Sequence, residues 1–235
     1  MDIQLFYTDN GDDRSHPPLI LLHGNGSNSS SFFYVADHFK KTRRVITLDS
    51  RGHGHTPMGD KPFTLVQIAE DIKDFMDDMG IEKATLIGSS DGGNIALLFA
   101  REYISRLSGM VINGANIFPA GLKEHVYKSM LLDLKKAKRA LRRNPADKNA
   151  SRTIGLLKLM INEPDLTPEQ LKNMNVPALV IVGNRDVIDE KHTELIVSSL
   201  PNARLSVLDG GHSIKKDNYD GYISEIERFL SENNL

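Results

Sequence analysis

Six short apolar runs recur between residues 17 and 212. They are PPLILLHG (17–24), RRVITLDSRGHG (43–54), KATLIGSS (83–90), LSGMVINGA (107–115), PALVIVGNRD (177–186) and ARLSVLDGGH (203–212). Each apolar stretch is four to seven residues long and apolar at successive positions, the pattern of strands covered on both faces. Helical patterns lie between them. In TLVQIAEDIKDFMDDMG, residues Leu65, Ile68, Ala69, Ile72, Phe75, Met76 and Met79 recur at helical spacing, and Gly80 ends the stretch. GGNIALLFAREY is more uniformly apolar, as for a helix buried against a sheet, and YISEIERFLSEN near the C-terminus is amphipathic. This alternation predicts an α/β fold with a doubly wound, mostly parallel sheet. Ligands of such sheets bind beyond the carboxyl ends of the strands, so the residues just after each run are the candidates for chemistry.

Residues 116–170 break the alternation. Helical spacing is present (Val126, Met130, Leu134), but no strand pattern returns until Pro177. The expectation is a core of residues 1–115 and 171–235 with a helical cap, residues 116–170, inserted into it. Charge follows the same division. Residues 121–160 hold eleven Lys and Arg against Glu124, Asp133 and Asp147, a net of +8 (11 − 3), and the rest of the chain carries −10 (18 − 28). Such a basic block would steer anions or form a solvated helical surface.

The total charge of −2 gives no general case for binding nucleic acid or a membrane. Cysteine is absent, which excludes disulfides, thiolate metal sites and a cysteine nucleophile. The start, MDIQLFYTDNGDD, has neither a basic n-region nor an apolar h-region, and no apolar run approaches a membrane span. A soluble, cytoplasmic protein is the expectation, with no metal and no cofactor; oligomeric state is not legible.

The segment TLIGSSDGGN (85–94) fits G-x-S-x-G in one register only, with Gly88 and Gly92 flanking Ser90. A serine on a sharp turn between strand and helix sits in a strained conformation, and small residues two positions away avoid clashes. Ser90 is therefore the candidate nucleophile, with Ser89 as a spacer. Among eight histidines, His212 follows the last strand and also follows an acid that itself comes after Ser90, the order Ser…acid…His. That acid is Asp186, on the loop after the fifth run, with Asp189 as the alternative. Asp209 lies too close to His212 along the chain to orient its ring. HGNG (23–26) is a glycine loop able to aim the Asn25 N–H at a developing oxyanion, together with the N–H of Asp91. His23, Asp49, Arg51, His53 and His55 are read as structural.

Taken together, HGNG, D-x-RGHG at 49–54, GSSDGG at 88–93, GNRD at 183–186 and GGH at 210–212 resemble the α/β-hydrolase superfamily in its motif order. The resemblance covers nearly all of the chain except the cap. It implies acyl transfer by Ser90, His212 and Asp186 on a small-molecule ester, with no cofactor. GSSDGG is similar to the biphenyl-hydrolase-like (valacyclovir hydrolase) branch, in which such an aspartate holds the α-amine of amino-acid esters. Carried over, Asp91 would anchor a substrate ammonium; alternatively its carboxylate only complements the helix dipole. C–C bond hydrolases, thioesterases and lysophospholipases share the motifs, as do non-catalytic ligand-binding proteins on the same scaffold.

Overall fold

A computed structural model describes residues 2–235; Met1, the first residue of the expected core segment, lies outside them. Seven strands, β1 (Tyr7–Asn10), β2 (Leu19–Leu22), β3 (Val45–Leu48), β4 (Ala84–Ser89), β5 (Leu107–Asn113), β6 (Ala178–Gly183) and β7 (Ala203–Leu208), form one sheet in the order β1-β3-β2-β4-β5-β6-β7. Every pairing is parallel except that of β1 with β3. The helices are α1 (Phe33–Phe39), α2 (Leu65–Asp78), α3 (Asp91–Tyr103), α4 (Glu124–Arg143), α5 (Lys148–Asn162), α6 (Pro168–Leu171), α7 (Glu190–Ser199), α8 (Ile214–Asp217) and α9 (Tyr219–Glu232). The expected doubly wound sheet is thus formed.

Strand pleating sorts the apolar runs onto two faces. Leu19, Leu21, Ile87, Val111 and Ile181 pack with Phe32 and Phe39 and with Tyr222, Ile226 and Phe229 of α9. Their neighbours Ile20, Leu22, Leu86, Ile112 and Val180 pack against α2 and α3 on the other face. A register slip of one residue would exchange the two sets, so burial on both faces locks the strands in place.

Two strands depart from the expected pattern. β1 (YTDN) is polar and exposed, held by its antiparallel ladder to β3, by Tyr7 edge-on to Phe75 and by the Asp9–Arg44 pair, and it carries no run of apolar residues. β7 is an edge strand covered on one side, leaving Leu205 and Val207 partly exposed.

The chain winds from β2 outward to β3, then returns to place β4 on the other side of β2. This reversal opens a crevice at the carboxyl ends of β2 and β4. Between β5 and β6 the chain forms the antiparallel-connected helices α4 and α5, followed by the short α6. Asp147 starts α5 by accepting a hydrogen bond from the Ala150 N–H at 2.9 Å.

The loop after β3 is spent on this frame. Arg51 is fully buried, with a bidentate pairing to Asp71 (2.7 and 2.8 Å) and a further bond to Asp2 at 2.6 Å. Asp49 accepts from the Ser29 and His55 amides at 2.7 and 2.8 Å, tying the loop after β3 to the loop after β2.

Candidate active site

Ser90 is the single residue between β4 and α3, and its backbone is forced into φ 56°, ψ −123°. A non-glycine residue with positive φ is strained, and here the surrounding bonds hold it. The Ser90 N–H donates to the Asn113 carbonyl at 2.7 Å, and the Gly93 and Asn94 amides donate to the Ser90 carbonyl at 2.8 and 3.1 Å. The flanking glycines follow from sterics. A Cβ on Gly88 would collide with the Gly92 carbonyl, and one on Gly92 with the Leu22 carbonyl. No other residue type lets β2, β4 and α3 approach this closely.

His212, which follows β7, sits with Nδ1 2.7 Å from Oδ1 of Asp186. Asp186 lies on the turn after β6, is only 5% exposed, and also accepts from the Ile188 N–H at 3.1 Å. Burial raises the Asp186 pKa, but the bond and charge of His212 and the Val187 and Ile188 amides outweigh it. The carboxyl group is held below its ordinary range. An ionised carboxylate can only accept, so Nδ1 of His212 carries the proton and Nε2 of the neutral ring keeps its lone pair. Gly114, at φ 58°, lies beneath this pair, where a Cβ would press on both the His212 ring and Asp186.

Asp189, the alternative acid, and Asp209 are both engaged elsewhere. Asp189 caps α7, its Oδ1 accepting from the Lys191 N–H at 2.9 Å. Asp209 is exposed and bound to Arg185 and Asn184.

The other histidines near the cleft have structural bonds. His23 donates from Nδ1 to the Gly24 carbonyl (2.8 Å) and accepts the Ser50 N–H at Nε2 (3.0 Å); burial pushes its pKa down to about 4. His53 is buried with Nδ1 2.9 Å from the Arg51 carbonyl.

Asp91 is the first residue of α3. Its Oδ2 accepts from Asn25 Nδ2 at 2.8 Å and its Oδ1 from Asn94 Nδ2 at 3.2 Å. Asn94 is itself fixed by Asn116, through bonds of 2.8 and 3.1 Å. Burial raises the Asp91 pKa against the opposing pull of these amides and of His212. Among the described residues, neither the Asn25 nor the Asp91 backbone N–H has an acceptor in the protein. Both are free to bond an external oxygen, and that of Asp91 stands at the positive end of α3.

Ser90, His212 and Asn25 stand between two cavities. One, of about 330 Å³, is lined by Asp91 and Asn116 and by Leu122, Val126, Met130 and Met160 from the α4–α5 segment. Asn25 Nδ2 also reaches the Leu156 carbonyl at 3.2 Å, tying α5 to the site. The other, of about 690 Å³, is lined by Ser27, Ser31, Tyr34, Ser89, Lys215 and Tyr219 among others.

A sequence profile of the alpha/beta hydrolase fold family matches residues 17–165. The chain belongs to that family. The human serine hydrolase BPHL is 27% identical to this hydrolase, over 97% of its chain and 83% of the relative. Two solved structures share the fold. A thermophilic esterase from Thermogutta terrifontis superposes with a TM-score of 0.80 at 21% identity, over 99% of this chain and 95% of the esterase. The enol-lactonase from Burkholderia xenovorans LB400 gives 0.81 at 21% identity, over 97% of both chains.

In this hydrolase the structure brings together every residue singled out from the motifs: Ser90, Asp186, His212, Asn25 and Asp91. Ser89, expected only as a spacer, has a further part. Its hydroxyl donates to Asn113 Oδ1 at 3.2 Å and accepts from Lys215 Nζ at 3.1 Å. Lys215, Asn94 and Asn116 were not found from the sequence. Asn94, one helical turn after Asp91, was the one with a local spacing signal. No helix among the described residues is long and apolar enough to cross a membrane.

Proposed function

We propose that this protein is a serine hydrolase of small carboxylic esters. The observation that carries this reading is the strained Ser90, which shares both cavities with His212, whose ring is held by the buried Asp186. Ser90 Oγ attacks the ester carbonyl as its proton passes to His212 Nε2. The new oxyanion rests on the Asn25 and Asp91 amides. The ester C–O bond then breaks, His212 returns the proton to the departing alcohol, and water repeats the cycle to release the acid. Residues 116–170 act as a lid, their apolar side chains enclosing the smaller cavity. The substrate is a small molecule met in the cytoplasm. The names of the similar proteins, a serine hydrolase, an esterase and an enol-lactonase, agree with cleavage of an ester bond.

The test is hydrolysis of a p-nitrophenyl ester by Ser90→Ala, together with labelling by a fluorophosphonate. The expected result is a loss of at least ~10³-fold in kcat and no labelling. Turnover by the variant at the wild-type rate would refute the assignment.

The carboxylate of Asp91 supports a narrower class. It is buried at the smaller cavity with two amide donors, leaving lone pairs for a substrate ammonium. Amino-acid esters are therefore the favoured substrates. The check compares a free aminoacyl ester with its N-acetylated twin in wild type and Asp91→Asn. A preference for the free amine of about 10-fold or more, lost in the variant, is expected; equal wild-type rates would exclude the anchor.

A further inference from the structure

The larger cavity contains a feature that acyl transfer does not use. Lys215, three residues after His212, lies in the short helix α8 and turns its ammonium toward Ser89, next to the nucleophile. Its Nζ lies 4.6 Å from the centre of the Phe32 ring. No carboxylate pairs with Lys215 among the described residues, and no carboxylate lines this cavity. Burial alone pushes its pKa down, to about 8, so the amine is still mostly charged at neutral pH. Ser89 cannot neutralise it, because the serine offers only a lone pair while its own hydrogen goes to Asn113. At least one ammonium donor is left unspent.

A second, independent group points the same way. Ser31 is one of the residues around this cavity, and its hydroxyl is buried without a hydrogen-bond partner. An orphaned buried hydroxyl is costly, and a water, ion or ligand that reaches it removes the cost. The smaller cavity has the opposite character, with the Asp91 carboxylate at its wall. The two cavities thus present different groups beside Ser90, the Asp91 carboxyl and no lysine or arginine in one, the Lys215 ammonium and no carboxylate in the other.

Resting on the ester-hydrolase reading, we propose that the larger cavity is an anion subsite, in which Lys215 and Ser31 bind a carboxylate or phosphate carried by the substrate on one side of its ester bond. Lys215 is then a specificity-determining residue. The division of charge also sets substrate polarity: the anionic half is excluded from the Asp91 side and directed to the Lys215 side.

The experiment uses matched esters that differ in one anionic group. On the acyl side, the mono-p-nitrophenyl ester of glutaric acid is compared with p-nitrophenyl valerate. On the alcohol side, the butyryl esters of 4-hydroxybenzoate and of 4-hydroxyphenyl phosphate are compared with that of 4-hydroxyacetophenone. The wild-type protein is expected to favour the anionic member of at least one pair by about 10- to 100-fold in kcat/KM. In Lys215→Met that ratio falls to within about twofold of unity, and in Lys215→Arg, which keeps the charge, part of it returns. Ser31→Ala lowers it by a smaller factor. The two anionic esters on the alcohol side distinguish carboxylate from phosphate. No anionic preference in wild type, or a preference that survives Lys215→Met, overturns the proposal.

Failure of the ester reading is distinguishable, because it appears as no Ser90-dependent turnover of any ester. The subsite is then read directly by titrating glutarate and inorganic phosphate into the Ser90→Ala protein by calorimetry. Binding that is lost on adding Lys215→Met supports the subsite, and no binding of either anion refutes it.

Discussion

An ammonium buried without a counter-ion should cost stability, and that cost should depend on pH in a defined direction. Burial lowers the Lys215 pKa from 10.5 to about 8 in the folded protein. Below pH 8 the amine is protonated in both the folded and the unfolded chain, and the full penalty is present. Between 8 and 10.5 the unfolded chain holds more protons than the folded one, so stability rises with pH. Above 10.5 the penalty is gone. With 1.36 kcal/mol per pKa unit, the gap between 10.5 and about 8 amounts to about 3 kcal/mol at neutral pH. The same linkage leaves about 2 kcal/mol at pH 9.

The assay is urea unfolding of wild type and Lys215→Met at intervals from pH 7 to 9. Taking the difference between the two proteins removes every other titrating group. Relative to the variant, the wild type should gain about 1 kcal/mol over that interval, and the m-value should not change. Parallel stability curves across the interval would refute the claim that this amine is desolvated in the fold.

The two neighbouring acids provide a sharper check on the hydrogen bond to His212. Asp186→Asn should lower kcat by about 10³- to 10⁴-fold with the fold intact, because the amide can present N–H to Nδ1 and favour the wrong tautomer. Asp189→Asn should leave kcat nearly unchanged, and Asp189→Ala should cost about 1 kcal/mol in thermal or urea unfolding through loss of the α7 cap. Gly92→Ala should fail to yield stable, active protein, since its Cβ would meet the Leu22 backbone rather than a side chain able to move; circular dichroism and esterase assay together report this.

Local chemistry was legible in the sequence because it is written over a few residues. The apolar runs 19–22, 45–48, 84–89, 107–113 and 178–183 became strands buried on both faces, and Thr64 capped α2 just where the helical spacing begins. Strand β1 could not be read, since YTDN has no apolar run and is held by the open edge of β3 together with the distant partners Phe75 and Arg44. The choice between Asp186 and Asp189 was likewise beyond spacing alone. Both lie on the same loop, and only the folded chain turns one toward His212 and the other into a helix cap.

What the sequence by itself determined is the alternating sheet and the tight turn that sets Ser90 between Gly88 and Gly92, because hydrophobic period and glycine sterics act between near neighbours. What the tertiary structure alone decided is the electrical character of the site. Asp91 meets Asn25 across 66 residues, and Lys215 meets Ser89 across 126. Contacts at that separation are set by the winding of the sheet, which brings the ends of β2, β4 and β7 to one edge, and no local pattern announces them.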